Sequence, residues 1–277
     1  MENPSLVVMV GGTSSRMKTS LQSFVIKSEN PSNLVHKSLI PVGAVPKPFL
    51  YYLVRKAFSA GYSKLYLITG KENQAFQELE SKGIFPEGMQ ICYAVQPIPK
   101  GRTKPLGTAD ALQECMEQFP ELKEQMFTVC NGDNLYSEGA LRDLRTHRDS
   151  PNALISYASS GLKFNAERVA KFAVMTISEH NFLKEIVEKP DLQNLSQYRD
   201  VSGELRVSMN IFSFSGEMIY PFLKSCPLDK ARNEKELTKA VSNMIRAHPK
   251  SMLCMPRSEH IPDLTDAWDI PSFKKLL

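Results

Sequence analysis

A Rossmann-like α/β architecture, with a mixed, mainly parallel sheet covered by helices on both faces, follows from three observations on this 277-residue chain. Short apolar runs alternate with segments of helical period throughout the first half. Most of these runs are apolar on both faces, as a strand covered by helices on both sides requires. The second half changes to strand-like segments with fewer helices between them, which predicts an antiparallel or mixed extension of the sheet.

The elements follow in order. "LVVMV" (6–10) reads as the first buried strand. In "KPFLYYLVRKAFSAG" the apolar residues at 49, 50, 53, 54, 57 and 58 form one helix face, with Pro48 suited to the first turn and Gly61 to the C-terminal stop. "KLYLIT" (64–69) is a strand, "ENQAFQELESKG" (72–83) a helix closed by glycine and "MQICYAV" (89–95) a strand. A helix from Thr108 to Gln118, the strand "MFTVC" (126–130) and a helix over 137–147 complete the first half. Strands are then expected at 153–159, 171–177, 182–187 and, as one continuous segment, 205–214. Helices over 216–224 and 233–247, the strand "SMLCMP" and a terminal helix close the chain. No internal repeat is present and no hexapeptide β-helix pattern follows. The expectation is therefore one domain over 1–277, with halves at about 1–150 and 151–277 and no β-helix domain.

Composition narrows the function classes. Hydrophobic content of 42% and charged content of 23% are those of a globular protein. The net charge of +4 is small and its cations are interleaved with acids, so no nucleic-acid or membrane footprint is indicated. The five cysteines, Cys92, Cys115, Cys130, Cys226 and Cys254, form no C-x-x-C pair and sit mostly among apolar neighbours. That pattern predicts reduced core thiols and a cytoplasmic location. No window approaches the ~20 apolar residues needed to span a bilayer, and the N-terminus has no basic leader region. The histidines do not cluster and none is assigned a role, while Trp268 is expected in the core.

In sheets of this kind ligands bind beyond the carboxyl ends of the strands. The segments that fall there are "GGTSSR", "QPIPKGRTKPLGTADA", "NGDN" and "EKP". Gly11 and Gly12 permit close backbone approach, the amides after them can face an anion, and Arg16 presents a forked cation. The spacing matches neither G-x-G-x-x-G nor the Walker pattern, so by itself this stretch reads equally as a bend. Lys37 and Lys47 lie in a proline-punctuated loop, where solvated lysines are common. Asp133, at the tip of a central strand, is an oxygen ligand suited to Mg²⁺ or else an N-cap or Asx-turn acid. Glu188 and Lys189 suit hydroxyls and a phosphate, or form a strand-end ion pair.

Together "GGTSSRM", "HKSLIPVGAVPKP", "Q…GTADAL", "NGDN" and "VEKP" resemble, in order and approximate spacing, the sugar-1-phosphate nucleotidylyltransferases that make nucleotide sugars. The resemblance runs from about residue 5 to 215, and "PIPKGRTKPLGTADA" and "VSMN" are most similar to a bacterial branch resembling UTP- or dTTP:glucose-1-phosphate nucleotidyltransferases. It implies a nucleotide-diphospho-sugar transferase fold, with a nucleotide-binding half followed by a sugar-phosphate-binding half. Gly11, Gly12, Thr13, Ser14 and Ser15 would form the triphosphate loop, with Arg16 and Lys37 as catalytic cations. Gln96 matches the glutamine that reads a pyrimidine edge, and Gly107 and Thr108 the turn against the base. Glu188, Lys189 and Asn210 match the sugar-hydroxyl glutamate, the sugar-phosphate lysine and a sugar-pocket position. Asp133 matches the magnesium aspartate, and a second ligand is sought in "TDAWDIPSF", with Asp269 preferred and Asp266 second.

The chain also departs from the pattern. Its loop carries Ser14 and Ser15 where the family more often has glycine and threonine, resembling the "S-S-R-M" of cofactor nucleotidyltransferases. Insertions separate Arg16 from Lys37 and Gln96 from Gly107, and Asn210 stands where many members have glycine in "N-x-G". The implied reaction is sugar-1-phosphate plus NTP giving NDP-sugar and pyrophosphate, with UTP or dTTP and glucose-1-phosphate as the expected pair and Mg²⁺ as cofactor. The alternatives are a cofactor or phosphocholine nucleotidyltransferase of the same fold and a non-catalytic, nucleotide-sugar-binding regulatory relative. A dinucleotide oxidoreductase is disfavoured by the glycine spacing. Expected partners are the NTP and the sugar-1-phosphate, without nucleic acid or membrane, and a homo-oligomer is left open.

Overall fold

Along the first strand, β1 (Ser5–Met9), Leu6 and Val8 enter one layer of core and Val7 the other, the alternation of a strand covered on both sides. The computed structural model describes residues 4–11, 17, 19–20, 36–230, 232–274 and 276–277. After β1 come a short hairpin, β2 (Pro41–Val42) and β3 (Lys47–Pro48), then α1 (Phe49–Ser59), β4 (Lys64–Thr69), α2 (Gln74–Ser81), β5 (Gln90–Val95), α3 (Thr108–Gln118), β6 (Met126–Asn131) and α4 (Glu138–Asp143). The second half comprises β7 (Asn152–Ala158), α5 (Ala166–Val169), β8 (Ala173–Ile177), β9 (Leu183–Val187), β10 (Arg206–Ser208), β11 (Ile211–Ser215), α6 (Gly216–Lys224), α7 (Leu237–Ala247), β12 (Met252–Arg257) and the terminal turn α8 (Ile270–Phe273).

The main sheet has ten strands in the order β5-β4-β1-β6-β11-β7-β10-β8-β9, with β12 on β7. Strands β5, β4, β1 and β6 are parallel, and β11 then pairs antiparallel with β6. This is the mixed α/β sheet expected from the sequence. Helix α1 lays Phe49, Leu53, Val54 and Ala57 over one face. Helices α3, α6 and α7 cover the other, with Leu112, Cys115, Ile219, Val241 and Met244 packed among Val7, Tyr66, Ile68 and Val129. Each such side chain contributes about 1.5–3 kcal/mol on burial, so the carboxyl edge of the parallel strands rests on a two-sided core. The buried Tyr62 hydroxyl lies 2.7 Å from Thr128 Oγ1 and 3.0 Å from the Leu141 carbonyl, tying β6 to α4. All five cysteines are unpaired, four of them buried. Among the described residues no helix is long and apolar enough to cross a membrane.

The helix expected over 137–147 is shorter, Glu138–Asp143, and two further differences bear on how the sheet and the site are joined. The strand expected over 205–214 is broken at Asn210, whose φ of 53° lies in the left-handed region that a strand cannot continue through. The Tyr136 hydroxyl, donating to the Met209 carbonyl at 2.6 Å, pins the break. As a result β10 joins β7 to β8 while β11 joins β6 to β7, and the parallel and antiparallel parts become one sheet. The helix expected from 233 begins at Leu237 because the preceding backbone is committed elsewhere. Lys235 donates its N–H to the Leu106 carbonyl and accepts from the Ala109 N–H at 3.0 Å, at the N-terminus of α3.

Candidate active site

The tips of β1 and β6 meet where Gly132 donates its N–H to the Met9 carbonyl at 3.0 Å. A Cβ on Gly132 would stand 2.6 Å from Val10 Cγ1 and 3.1 Å from the Met9 carbonyl oxygen. Glycine is therefore required for β6 to turn here and present Asp133. Lys37, in a single 3₁₀ turn (Lys37–Leu39), donates from Nζ to Asp133 Oδ2 at 3.1 Å. Residues 96 positions apart are thus joined by an ion pair at the sheet edge.

The segment 262–264 lies alongside Asp133. Leu264 donates its N–H to the Asp133 carbonyl, and Leu135 donates to the Pro262 carbonyl, both at 2.9 Å. This pairing brings Asp263 beside Asp133. Burial and then the charge of Asp133 push the Asp263 carboxyl above the ordinary carboxylate range. Asp263 Oδ2 accepts from Arg168 at 3.2 Å and from Thr265 Oγ1 at 2.5 Å. Among the described residues no hydrogen bond reaches Oδ1 of Asp133 or of Asp263.

Asp269, expected as the second metal ligand, is occupied otherwise. Its Oδ1 accepts from Arg168 at 2.8 Å, and its Oδ2 accepts from the N–H groups of Thr265 and Asp266 at 2.8 and 3.0 Å. Asp266 accepts in turn from the Trp268 N–H at 3.0 Å. The two acids form a capping box around the 3₁₀ turn Ala267–Asp269, a local solution for orphan amides at a helix start. Of the three aspartates in this segment, it is Asp263 that lies beside Asp133 and lines a cavity with it, while Asp269 is bound to Arg168 and the turn amides. Trp268, expected in the core, is 65% exposed at this turn.

Two cavities share Lys37 and Asp133. The first, about 300 Å³, is lined by Gly11, Lys37, Gln96, Gly107, Thr108 and Asp133 among others. Gln96 is buried, and its Nε2 donates to the Gly107 carbonyl at 2.9 Å and to Asp110 Oδ2 at 2.8 Å. Two acceptors on the nitrogen orient the amide and leave Oε1 as the open acceptor. Gly107, with φ 106° and ψ −173°, precedes α3 in a backbone conformation confined to glycine. Thr108 Oγ1 accepts from the Leu237 N–H at 2.9 Å, so this turn also anchors the start of α7.

The second cavity, about 800 Å³, is lined by Lys37, Asp133, Arg168, Lys189, Asn210 and Asp263 among others. Lys189 and Asn210 both have positive φ, 44° and 53°. Glu188 does not join them. It lines a third cavity of about 980 Å³, where its Oε1 accepts from Thr238 Oγ1 at 3.1 Å and Arg232 lies 4.0 Å away. Burial and then Glu236 raise its carboxyl above the usual range. The strand ends at Val187, and the left-handed backbone at Lys189 turns the chain between Glu188 and Lys189, which line different cavities.

Gly12, Thr13, Ser14, Ser15 and Arg16 lie outside the described residues. Of the other expected positions, Gly11, Lys37, Gln96, Gly107, Thr108 and Asp133 converge on the first cavity, and Lys189 and Asn210 on the second. Sequence reasoning missed Asp263, Arg168 and Asp110. Asp110 was readable as the acid in the first turn of a helix. Arg168, in a four-residue helix, carried no local signal. Among the described residues no three histidine, cysteine or acidic side chains gather into a metal-holding cluster.

A family model described as nucleotidyl transferase matches residues 31–270. A glucose-1-phosphate adenylyltransferase of Francisella tularensis subsp. novicida (strain U112) is 27% identical over 173 residues, covering 60% of this chain and 40% of its own length. The chain thus spans about two fifths of the length of the curated relatives it matches. Among solved structures, UDP-glucose pyrophosphorylase complexed with UDP-glucose superposes with a TM-score of 0.72 at 17% identity, covering 100% of this chain and 98% of that one. A Bacillus anthracis protein assigned as a glucose-1-phosphate thymidylyltransferase, in complex with a sucrose, gives 0.68 at 19% identity, over 98% and 94% of the two chains. These likenesses establish the shared fold.

Proposed function

The chain belongs to the nucleotidyl transferase family, and on that premise we propose that it transfers a nucleotidyl group from an NTP to a sugar-1-phosphate, releasing pyrophosphate. One observation carries the reading: two cavities of different chemistry share a wall at Lys37 and Asp133. The first offers the oriented amide of Gln96 and the close backbone of Gly107, suited to a base. The second offers Lys189 and Lys171, suited to an acceptor phosphate. A nucleotide in one and a sugar phosphate in the other would place acceptor oxygen and α-phosphate at the shared wall.

The chemistry asks little proton transfer of the protein. A phosphate monoester has its second pKa at about 6, so the attacking oxygen is largely ionised at neutral pH. The protein must instead align two mutually repelling polyanions and neutralise charge as the bond to pyrophosphate breaks. Lys37, at the junction, and Lys189, in the acceptor cavity, are the cations suited to this among the described residues. Arg16 is proposed as a further one on the strength of its motif. Asp133 and Asp263 are hard oxygen donors, each with one oxygen that accepts no hydrogen bond from the described residues, and fit Mg²⁺, which takes one or two carboxylates and completes its shell with phosphates and water. Bound there, Mg²⁺ would supply further neutralisation of phosphate oxygens.

UTP or dTTP is the preferred donor because Gln96 Oε1 suits the ring N–H of uracil or thymine. ATP is the second reading: the same acceptor suits the adenine amino group, and the curated relatives are adenylyltransferases. Glucose-1-phosphate is the preferred acceptor. The five unpaired thiols support a cytoplasmic location. The test is a pyrophosphate-release assay with ATP, CTP, GTP, UTP and dTTP against glucose-, mannose- and N-acetylglucosamine-1-phosphate. Release is expected with a uracil or thymine nucleotide and glucose-1-phosphate. Nucleotide binding without release from any pair would overturn the enzymatic reading in favour of a binding protein.

A further inference from the structure

Each of the paired carboxylates already carries a cation of the protein itself. Lys37 Nζ lies 3.1 Å from Asp133 Oδ2, and the Arg168 guanidinium lies 3.2 Å from Asp263 Oδ2. Arg168 is held from several directions. It also donates to the Asp263 carbonyl at 3.0 Å and to Asp269 Oδ1 at 2.8 Å, and its guanidinium sits 4.3 Å from the Phe164 ring centroid. Asn165 caps its backbone N–H at 2.9 Å. A planar fork with this many partners is a fixed charge.

Asp133 and Asp263 are thus each paired with a cation, and Arg168 is shared between Asp263 and Asp269. A divalent cation approaching the open Oδ1 atoms is attracted by the carboxylates, and repulsion from Lys37 and Arg168, held on the Oδ2 side, offsets part of that attraction. A triphosphate changes the balance, since its oxygens compete for Lys37 at the wall shared by the two cavities and add ligands of their own. We propose that Arg168 is a positioning residue that holds Asp263 opposite Asp133 while offsetting its charge, so that the pair takes a divalent cation only together with a nucleotide's phosphates. This rests on the reading of Asp133 and Asp263 as the metal-binding pair. It couples metal entry to donor binding and keeps the unliganded site from capturing ions.

The test is Mn²⁺ binding to the full-length protein, followed by the EPR signal of free Mn²⁺, with no nucleotide and with UTP or ATP. Arg168→Gln is expected to bind Mn²⁺ about tenfold or more tightly than the parent protein without nucleotide, and to lose most of the gain that nucleotide gives. A purely structural role would predict weaker binding, and equal or weaker binding in a folded Arg168→Gln protein overturns the proposal. Asp269→Asn removes the competing carboxylate and leaves more of the Arg168 charge to Asp263, so nucleotide-free Mn²⁺ binding is expected to weaken. Should Arg168→Gln fail to fold, unchanged or tighter binding in Asp269→Asn overturns the proposal instead. Asp263→Asn separates the two levels: if it leaves Mn²⁺ binding in the presence of nucleotide intact, the metal-pair reading itself falls.

Discussion

Gly107→Ala tests how the fold builds the base cavity. At φ 106° and ψ −173° an alanine meets backbone strain of about 1–3 kcal/mol. Its Cβ would also lie 2.6 Å from the Lys235 carbonyl oxygen, well inside ordinary contact, and the obstacle is backbone that no rotamer change relieves. Moving Lys235 endangers its two hydrogen bonds to Leu106 and Ala109, each contributing about 1 kcal/mol. The expected loss is about 3–5 kcal/mol, read in urea unfolding, with Tm falling by roughly 10 °C at this chain length. Because the Gly107 carbonyl also accepts from Gln96 Nε2, the KM for the nucleotide should rise about tenfold, the size expected when one hydrogen bond is lost. Gly101→Ala separates the causes: φ there is 83° with nothing within 4 Å of the added Cβ, so strain alone acts and about 1–2 kcal/mol is expected. A Gly107→Ala protein within about 0.5 kcal/mol of the parent, with unchanged nucleotide KM, would refute the reasoning.

Three further outcomes are expected. Lys189→Ala should raise the KM for the sugar phosphate about 10- to 100-fold, the loss of one charge-assisted hydrogen bond, with little change for the nucleotide; steady-state kinetics varying each substrate checks this. Tyr62→Phe should cost about 1–2 kcal/mol in denaturant unfolding, because Thr128 Oγ1 and the Leu141 carbonyl lose a buried partner, while both KM values stay put. Glu188→Gln should act through pH. The folded carboxyl is raised above its usual 4.5, so both states are protonated at low pH and the parent loses stability as pH rises from that value through the folded one. The glutamine variant should therefore have the higher Tm at pH 7.5 and lose that advantage towards about pH 4. A lower Tm at pH 7.5 would show that the Thr238 and Arg232 contacts outweigh burial.

What the sequence determined by itself is local. The apolar run at 6–10 and the face formed by Phe49, Leu53 and Ala57 identified strand and helix because their periods follow from backbone geometry. Helix α6 over Gly216–Lys224 and Asp133 after the fourth parallel strand were legible for the same reason. What only the tertiary structure decided is which distant groups meet. Three aspartates at 263, 266 and 269 are equivalent by composition, and the pairing of 262–264 with 133–135 selects Asp263 while the capping box takes Asp266 and Asp269. Glu188 and Lys189 are neighbours in the chain, yet they line different cavities, because the strand has ended at Val187 and the backbone turns through the left-handed region at Lys189. The break at Asn210 depends on the Tyr136 hydroxyl, and Arg168 acquires its meaning only from two acids about a hundred positions away. Local propensity sets the elements; register and long-range hydrogen bonds, absent from any short window of sequence, set the site.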